Sequence, residues 1–437
     1  MRRWPIGVGV GLIAMAGAFI TARGCHIESV PGSVPAVTEE PSIAKVRVPR
    51  PVNPASRLPF IPGLDLVHIG YDDRGATAPA SEGRVARLTL QPNLQRFAQS
   101  LLAAHKFPEA SVVMIDTATG HVIVYASYID NGPPRDLCVE ATAPAASIFK
   151  VVTGAALVED SRLTPDTRQC YAGGGTEGLG ARDLVDDPAR DKWCVTLAGA
   201  MGRSLNPVFA RLAIKHLKPF QLEVMARNFG FGEPVPFDVP VQASGVTIPS
   251  EPLEFARTSA GFWNTTLSPL EAAWIGTTLA RGGEAVRPMI VKDLAASTGE
   301  VLYSAPPAPL VRHAVTRETA AAVTTMMEST VREGTSFRAF HDMRKKSFLP
   351  GISVAGKTGT LSDARAHRYY TWFMGFAPSR PQADLRTVAV AVLVVNQPEW
   401  QVKANVVARD MLRAYFSELT VPRVTKPSPA AIARRKR

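Results

Sequence analysis

Strand-forming text near both ends of the main body, with helix-forming text between, limits this chain more than any other feature of its sequence. SVVMID, a TATG turn and HVIVYAS (residues 111–127) are two β-rich runs around a tight turn, the pattern of a hairpin. GISVAGKTGT, YYTWFMGFA and TVAVAVLVV, between residues 351 and 395, are three more runs rich in β-branched and aromatic residues. From about Ala145 to Met343 the text is helix-like, broken by Gly and Pro loops. A helix led by Asn93-Leu94-Gln95 runs to His105, and Ala404 to Leu419 reads as a closing amphipathic helix. Remote strands must find each other to cover their apolar faces. The expectation is an α+β domain whose ends pair in one antiparallel sheet, flanked by a helical subdomain.

Composition admits such a core, with 437 residues of which 46% are hydrophobic. A formal net charge of +11 would suit nucleic acid or an anionic surface, but much of it sits at the two ends. The middle is close to balanced and holds no basic, aromatic-studded stripe, so no nucleic-acid partner is expected. At the start, MRR precedes an uncharged apolar run from Trp4 to Ala22, roughly the length that crosses a bilayer. Its A-x-A patterns lie inside the run, which favours an uncleaved membrane anchor over residues 1–24. The N-terminus would then be cytoplasmic and the rest of this single-pass chain in the periplasm or another extracytoplasmic space. Acylation of Cys25 after a lipoprotein-type cleavage is the alternative, with Arg23 badly placed for it.

Residues 25–62 read as an extended Pro-rich tether and 63–86 as a short segment before the domain, with a hairpin at Asp72-Asp73-Arg74-Gly75. The domain itself should span 87–420, followed by a disordered basic tail over 421–437. Outside the cytoplasm disulfides are permitted, and Cys170 and Cys194 bracket a glycine-rich loop that a bridge would close. The competing reading makes all three downstream cysteines small buried hydrophobes.

Three short motifs carry chemistry. Ser147-Ile148-Phe149-Lys150 opens an apolar helical run, and positions i and i+3 share a helix face, so hydroxyl and amine would meet. Alone this means little, because about one S-x-x-K arises by chance in a chain of this length, and Ser42-Ile43-Ala44-Lys45 matches it too. Ser204-Leu205-Asn206, before Pro207, would alone be a cap or turn. Lys357-Thr358-Gly359-Thr360 ends a strand-like segment and is much rarer, expected in roughly one chain in several hundred. All three occur in this order on a helix, a loop and a strand.

That conjunction resembles the penicillin-binding protein transpeptidase family, whose signature is S-x-x-K, S-x-N and K-T-G, here with Leu205 where Asp is common. Leu88-Thr89-Leu90 with Leu94-Gln95, the 111–127 hairpin, Pro269-Leu270, Gly282-Gly283, Gly334-Thr335, and Trp372-Phe373 before Gly375 are similar to family landmarks from about Arg84 to Leu419. The resemblance implies a penicillin-binding/β-lactamase-like fold and a serine acyl-enzyme cross-linking peptidoglycan stem peptides, acylated by β-lactams. It implies Ser147 as nucleophile, Lys150 as its base, Ser204 as proton shuttle to the leaving amine and Asn206 as donor to the substrate amide. Lys357 would support that network, and Thr358, Gly359 and Thr360 would bind substrate. No cofactor is implied. A separate lipid II polymerase in the membrane is the implied partner.

The physical need for these groups is plain. A serine hydroxyl attacks an amide poorly unless a base takes its proton, and a lysine does so only when neutral. Burial and a second cation lower a lysine's pKa, and Lys357 would supply that cation to Lys150. The family also admits D,D-carboxypeptidases, which pass the acyl group to water, and non-catalytic scaffolds or sensors. β-Lactam hydrolysis is disfavoured because no E-x-x-L-N text activates a deacylating water. Fewer than about a hundred residues precede the domain, too few for a glycan-polymerising domain, so a monofunctional enzyme is expected. Gln91 and Ala260-Gly261-Phe262-Trp263-Asn264 depart from the family's usual text, and neither departure is expected to touch the nucleophile.

Overall fold

The computed structural model describes residues 48–175, 178–363, 367–397 and 402–420. The expected anchor, Cys25, most of the expected tether and the expected basic tail lie outside the described residues. Among the described residues no helix is long and apolar enough to cross a membrane.

The two ends of the domain do meet in one sheet. Strands Glu109–Asp116, Val122–Ile129, Ala355–Asp363, Arg368–Ala377 and Val388–Asn396 form five antiparallel strands. Val388–Asn396 lies in the middle, pairing with Arg368–Ala377 on one side and Glu109–Asp116 on the other, so that Val392 faces both Phe373 and Val112. It is buried along its whole length. This explains why its text is continuously apolar instead of alternating. One face carries Val112, Met114, Phe373, Val390 and Val392 against helices Pro92–His105 and Ala404–Thr420. The other carries Val113, Ile115, Trp372, Met374 and Ala391 against the helical subdomain. Burying each such side chain contributes about 1.5–3 kcal/mol. Ala355–Asp363 is left as the edge strand next to the helical part.

The domain's N-terminal boundary needs correction. A second five-stranded sheet joins Gly70–Asp72, Gly75–Pro79 and Val85–Leu88 to Val291–Ala295 and Val301–Ser304. The expected hairpin forms, with Asp72 accepting from the Arg74 and Gly75 N–H groups. Its sheet is completed by strands from far along the chain, so residues 63–86 belong to the domain. The final part of the expected tether is also docked. Arg50 N–H donates to Asn228 Oδ1 at 2.8 Å, Asn53 N–H to the Val311 carbonyl at 2.7 Å and Ile61 N–H to the Asp238 carbonyl at 2.9 Å. Extended Pro-rich backbone has no internal partners, so it pairs wherever neighbouring loops offer them. Periodicity gives no sign of that.

Between the strand groups, helix Pro269–Ala280 forms the spine of the subdomain and is buried on nearly every face. Gly276 lets it approach the sheet until a Cβ would lie 3.2 Å from the Gly375 carbonyl. Glu271, in its first turn, is fully buried. Burial pushes the Glu271 carboxyl up to about 8, against the pull of Ser244 and Arg312. A folded value above the unfolded one means that native Glu271 holds its proton more tightly. Its contribution is therefore intact below about pH 4 and is lost as pH rises toward 8. Glu271→Gln keeps the shape and removes the titration. Near pH 9 the variant should be more stable than the parent by on the order of 5 kcal/mol, with most of the gain gone near pH 5. Thermal midpoints at the two pH values check this, and an equal difference at both would contradict it.

Candidate active site

The Ser147 turn is held from three sides. Trp372 Nε1–H donates to the Pro144 carbonyl at 2.9 Å, and Ala145 N–H donates to the Thr265 carbonyl. Ala146 then takes the left-handed region (φ 49°), a strained choice for alanine that its surroundings must enforce. Residues Ala146–Phe149 form a 3₁₀ turn that runs into helix Lys150–Ser161. Two glycines close on this turn. A Cβ on Gly261 would lie 2.3 Å from the Ala146 carbonyl, and one on Gly359 would lie 3.3 Å from the Ala145 carbonyl. A side chain at Gly261 would displace the turn, whereas one at Gly359 would ask its neighbours to give by a few tenths of an ångström.

Lys150 Nζ lies 2.9 Å from Ser147 Oγ, the i to i+3 contact expected from the helix. It is fully buried and also donates to Asn206 Oδ1 at 2.7 Å and to the Ala260 carbonyl. Burial, and after it the charge of Lys357, hold the Lys150 amine well below the usual lysine range. Lys357 is likewise buried, and burial lowers it to about 7. Its Nζ donates to Ser204 Oγ at 2.9 Å and to the Thr358 carbonyl at 2.7 Å. The lysines share no carboxylate partner in these contacts, so nothing there restores the charge that burial disfavours.

Ser204 ends helix Leu197–Arg203 in a left-handed conformation (φ 58°), which turns the chain so that Asn206 can begin the next helix with Pro207 behind it. Asn206 N–H donates to the Gly175 carbonyl at 2.6 Å. Leu205 is buried against Gly175. On the edge strand Thr358 Oγ1 meets Thr335 Oγ1 at 2.6 Å, which places the Gly334-Thr335 landmark at the site.

Ser147, Ser204, Asn206, Thr358, Gly359 and Thr360 all line one cleft of about 640 Å³. Lys150 and Lys357 lie beneath it through their bonds to Ser147 and Ser204. Cys170 and Cys194 form a disulfide, and Cys138 is a buried free thiol. The 260–264 segment requires a correction, since Ala260 holds Lys150 and Gly261 abuts the Ser147 turn. It therefore does touch the nucleophile's surroundings. Its partner there is a backbone carbonyl, which residue types cannot reveal. Tyr369, Thr371, Lys403 and Asn405 also line the cleft, and sequence reasoning passed over them because they belong to no motif. Alternation alone offered a signal, since Tyr369 and Thr371 share a sheet face with Thr358 and Thr360 through strand pairing.

A serine paired with a buried lysine whose amine lies well below the usual lysine range, beside an edge strand, is a layout suited to acyl transfer. The family model for the penicillin-binding protein transpeptidase domain matches residues 110–413, and the chain belongs to that family. Over 278 residues it is 31% identical to peptidoglycan D,D-transpeptidase PbpA of Mycobacterium tuberculosis, a match covering 60% of this chain and 52% of the relative. The chain thus spans about half the length of the curated relatives it matches. The D,D-transpeptidase domain of a peptidoglycan glycosyltransferase from Eggerthella lenta superposes with a TM-score of 0.64 at 25% identity, covering 81% of this chain and 90% of that one. Penicillin-binding protein A of M. tuberculosis as a ceftriaxone acyl-enzyme complex superposes at 0.58 with 25% identity, covering 77% and 80%.

Proposed function

We propose that this chain is a serine D,D-transpeptidase that cross-links peptidoglycan stem peptides. The observation carrying this reading is the contact set of Lys150. A neutral amine has two N–H groups and one lone pair. With the N–H groups given to Asn206 Oδ1 and the Ala260 carbonyl, the lone pair is left for the Ser147 hydroxyl. Ser147 Oγ then attacks the carbonyl between two D-residues while its proton passes to Lys150. Backbone N–H groups of Ser147 and Thr360 hold the oxyanion, each worth about 3 kcal/mol. The terminal residue leaves as an amine that takes its proton through Ser204, itself bonded to Lys357. An acceptor amine attacks the resulting ester, forms the new amide and returns the proton to Ser147. Asn206 donates to the substrate amide, and Thr358 and Thr360 face the carboxylate of the donor.

The ceftriaxone acyl-enzyme of its relative supports β-lactam acylation of Ser147. The apolar run from Trp4 to Ala22 supports membrane anchoring with the domain on the extracytoplasmic side, and a membrane lipid II polymerase fits as a partner that supplies glycan strands. The deciding assay mixes the purified protein with a stem-peptide donor and a D-amino acid acceptor and follows products by mass. The new amide should form at a rate that rises with acceptor concentration. Release of the terminal residue with no amide product would make the enzyme a carboxypeptidase.

A further inference from the structure

The two groups that accept from Lys150 stand on different helices. Asn206 opens helix Asn206–His216, and Ala260 caps helix Pro252–Ser259. Between them, on the outside, lie residues 170–175 and 178–194 of the loop that the disulfide closes. Its Gly175 carbonyl accepts from Asn206 N–H, and its Leu179 carbonyl accepts from Arg257 Nη2 at 2.9 Å. Leu179 also packs with Ala210, Ala256 and Ala260. One loop thus binds both helices close to the residues that hold the amine.

The loop is in turn fixed to the first helix. Arg211, five residues on from Asn206, is fully buried. Its guanidinium donates to the Cys170 carbonyl at 2.8 Å and the Asp183 carbonyl at 3.0 Å, and pairs with Asp191 at 2.5 Å. Lys215, one turn further, donates to Gln169 Oε1 at 2.8 Å. The Cys170–Cys194 bond joins directly opposed residues of the two-stranded ladder at the loop's base. Burying a charge as deeply as Arg211 is costly unless its bonds are needed. Those bonds lie outside the cleft and touch no reacting atom.

We infer that the loop closed by Cys170–Cys194 and gripped by Arg211 is a positioning element that sets Asn206 and Ala260, and through them Lys150, for the acylation step. The inference rests on the acyl-enzyme reading above. Lys357 is the charged group facing Lys150. The other elements packed around the amine present Ser147, Asn206, the Ala260 carbonyl and the Phe209 ring. Loosening the loop would admit water beside Lys150 and misdirect its lone pair. Desolvation is the larger cause of the lowered pKa, so the amine would drift back toward the ordinary lysine range.

The test is the pH dependence of acylation by a fluorescent penicillin, from about pH 5 to 9, for the full chain. In Cys170→Ser/Cys194→Ser the acid limb should move up by about one pH unit, so the rate at any pH on that limb falls about tenfold. Arg211→Lys keeps a cation but loses the fork, and should move the limb in the same direction by less. A limb that stays in place overturns the inference, whether the rate is unchanged or lowered equally at every pH, since an equal loss reports only damaged structure. Should the cysteine variant fail to fold, Asp191→Asn loosens the grip with the disulfide intact and is read the same way. Absence of labelling at Ser147 in the parent protein would instead overturn the acyl-enzyme reading itself.

Discussion

Ser147→Ala is expected to abolish covalent labelling by penicillins and to lower transpeptidation by on the order of 10⁵-fold or more, because the acyl group loses the atom that carries it. The fold should survive. Ser147 is only half-buried, and its loss leaves Lys150 with Asn206 and the Ala260 carbonyl as acceptors, so no buried amine is orphaned. The change in stability should stay within about 1 kcal/mol. Intact mass after penicillin treatment, with the adduct mapped to a peptide, reads the result directly. The parent should gain one adduct on the peptide containing Ser147 and the variant none. An adduct that persists in the variant would move the nucleophile elsewhere, and Ser204 is the nearest test of that, since it lines the same cleft and is bonded to the second buried lysine.

The parts of this architecture legible in the sequence are those in which side-chain chemistry and position coincide. The Val388–Asn396 strand showed itself because burial on both faces demands continuous apolar text. Ser147 and Lys150 were legible as a pair because helical spacing alone brings them together, and the structure sets their atoms 2.9 Å apart. That Lys357 stands close enough to affect Lys150 is what the family resemblance implies, and the effect accompanies burial in the lowered pKa of Lys150. What escaped notice was carried by backbone. The carbonyls of Ala260 and Gly175 hold Lys150 and Asn206 and are the same atoms in any residue. Strand Val85–Leu88 finds its second partner about two hundred residues later, at Val291–Ala295, and a single short strand gives no clue to a remote mate. Residues 48–62 read as tether because composition reports whether a segment can build its own core, and is silent on whether it lies along another's.

Removal of the base should be nearly as damaging as removal of the nucleophile and separable from it by pH. An ordinary lysine, with a pKa near 10.4, is neutral in roughly one molecule in 2,500 at pH 7, which would cost a general base about three orders of magnitude in rate. Burial and the Lys357 charge take Lys150 well below that range. The sign is fixed by which form works. The neutral amine is active, so acylation should fall as pH drops and Lys150 gains a proton, first order in hydroxide below its folded pKa. Lys150→Met keeps the apolar stem in the buried slot beside the Phe209 ring and removes the titrating group. Acylation should then drop by about 10³- to 10⁴-fold, and the acid limb should vanish, leaving a slow rate that climbs with hydroxide alone. Stopped-flow acylation across pH for parent and variant measures both. A variant that keeps the parent's acid limb would assign the proton transfer to a different group. Lys357, lowered to about 7, fully buried and bonded to Ser204 at the same cleft, is then the residue to replace next.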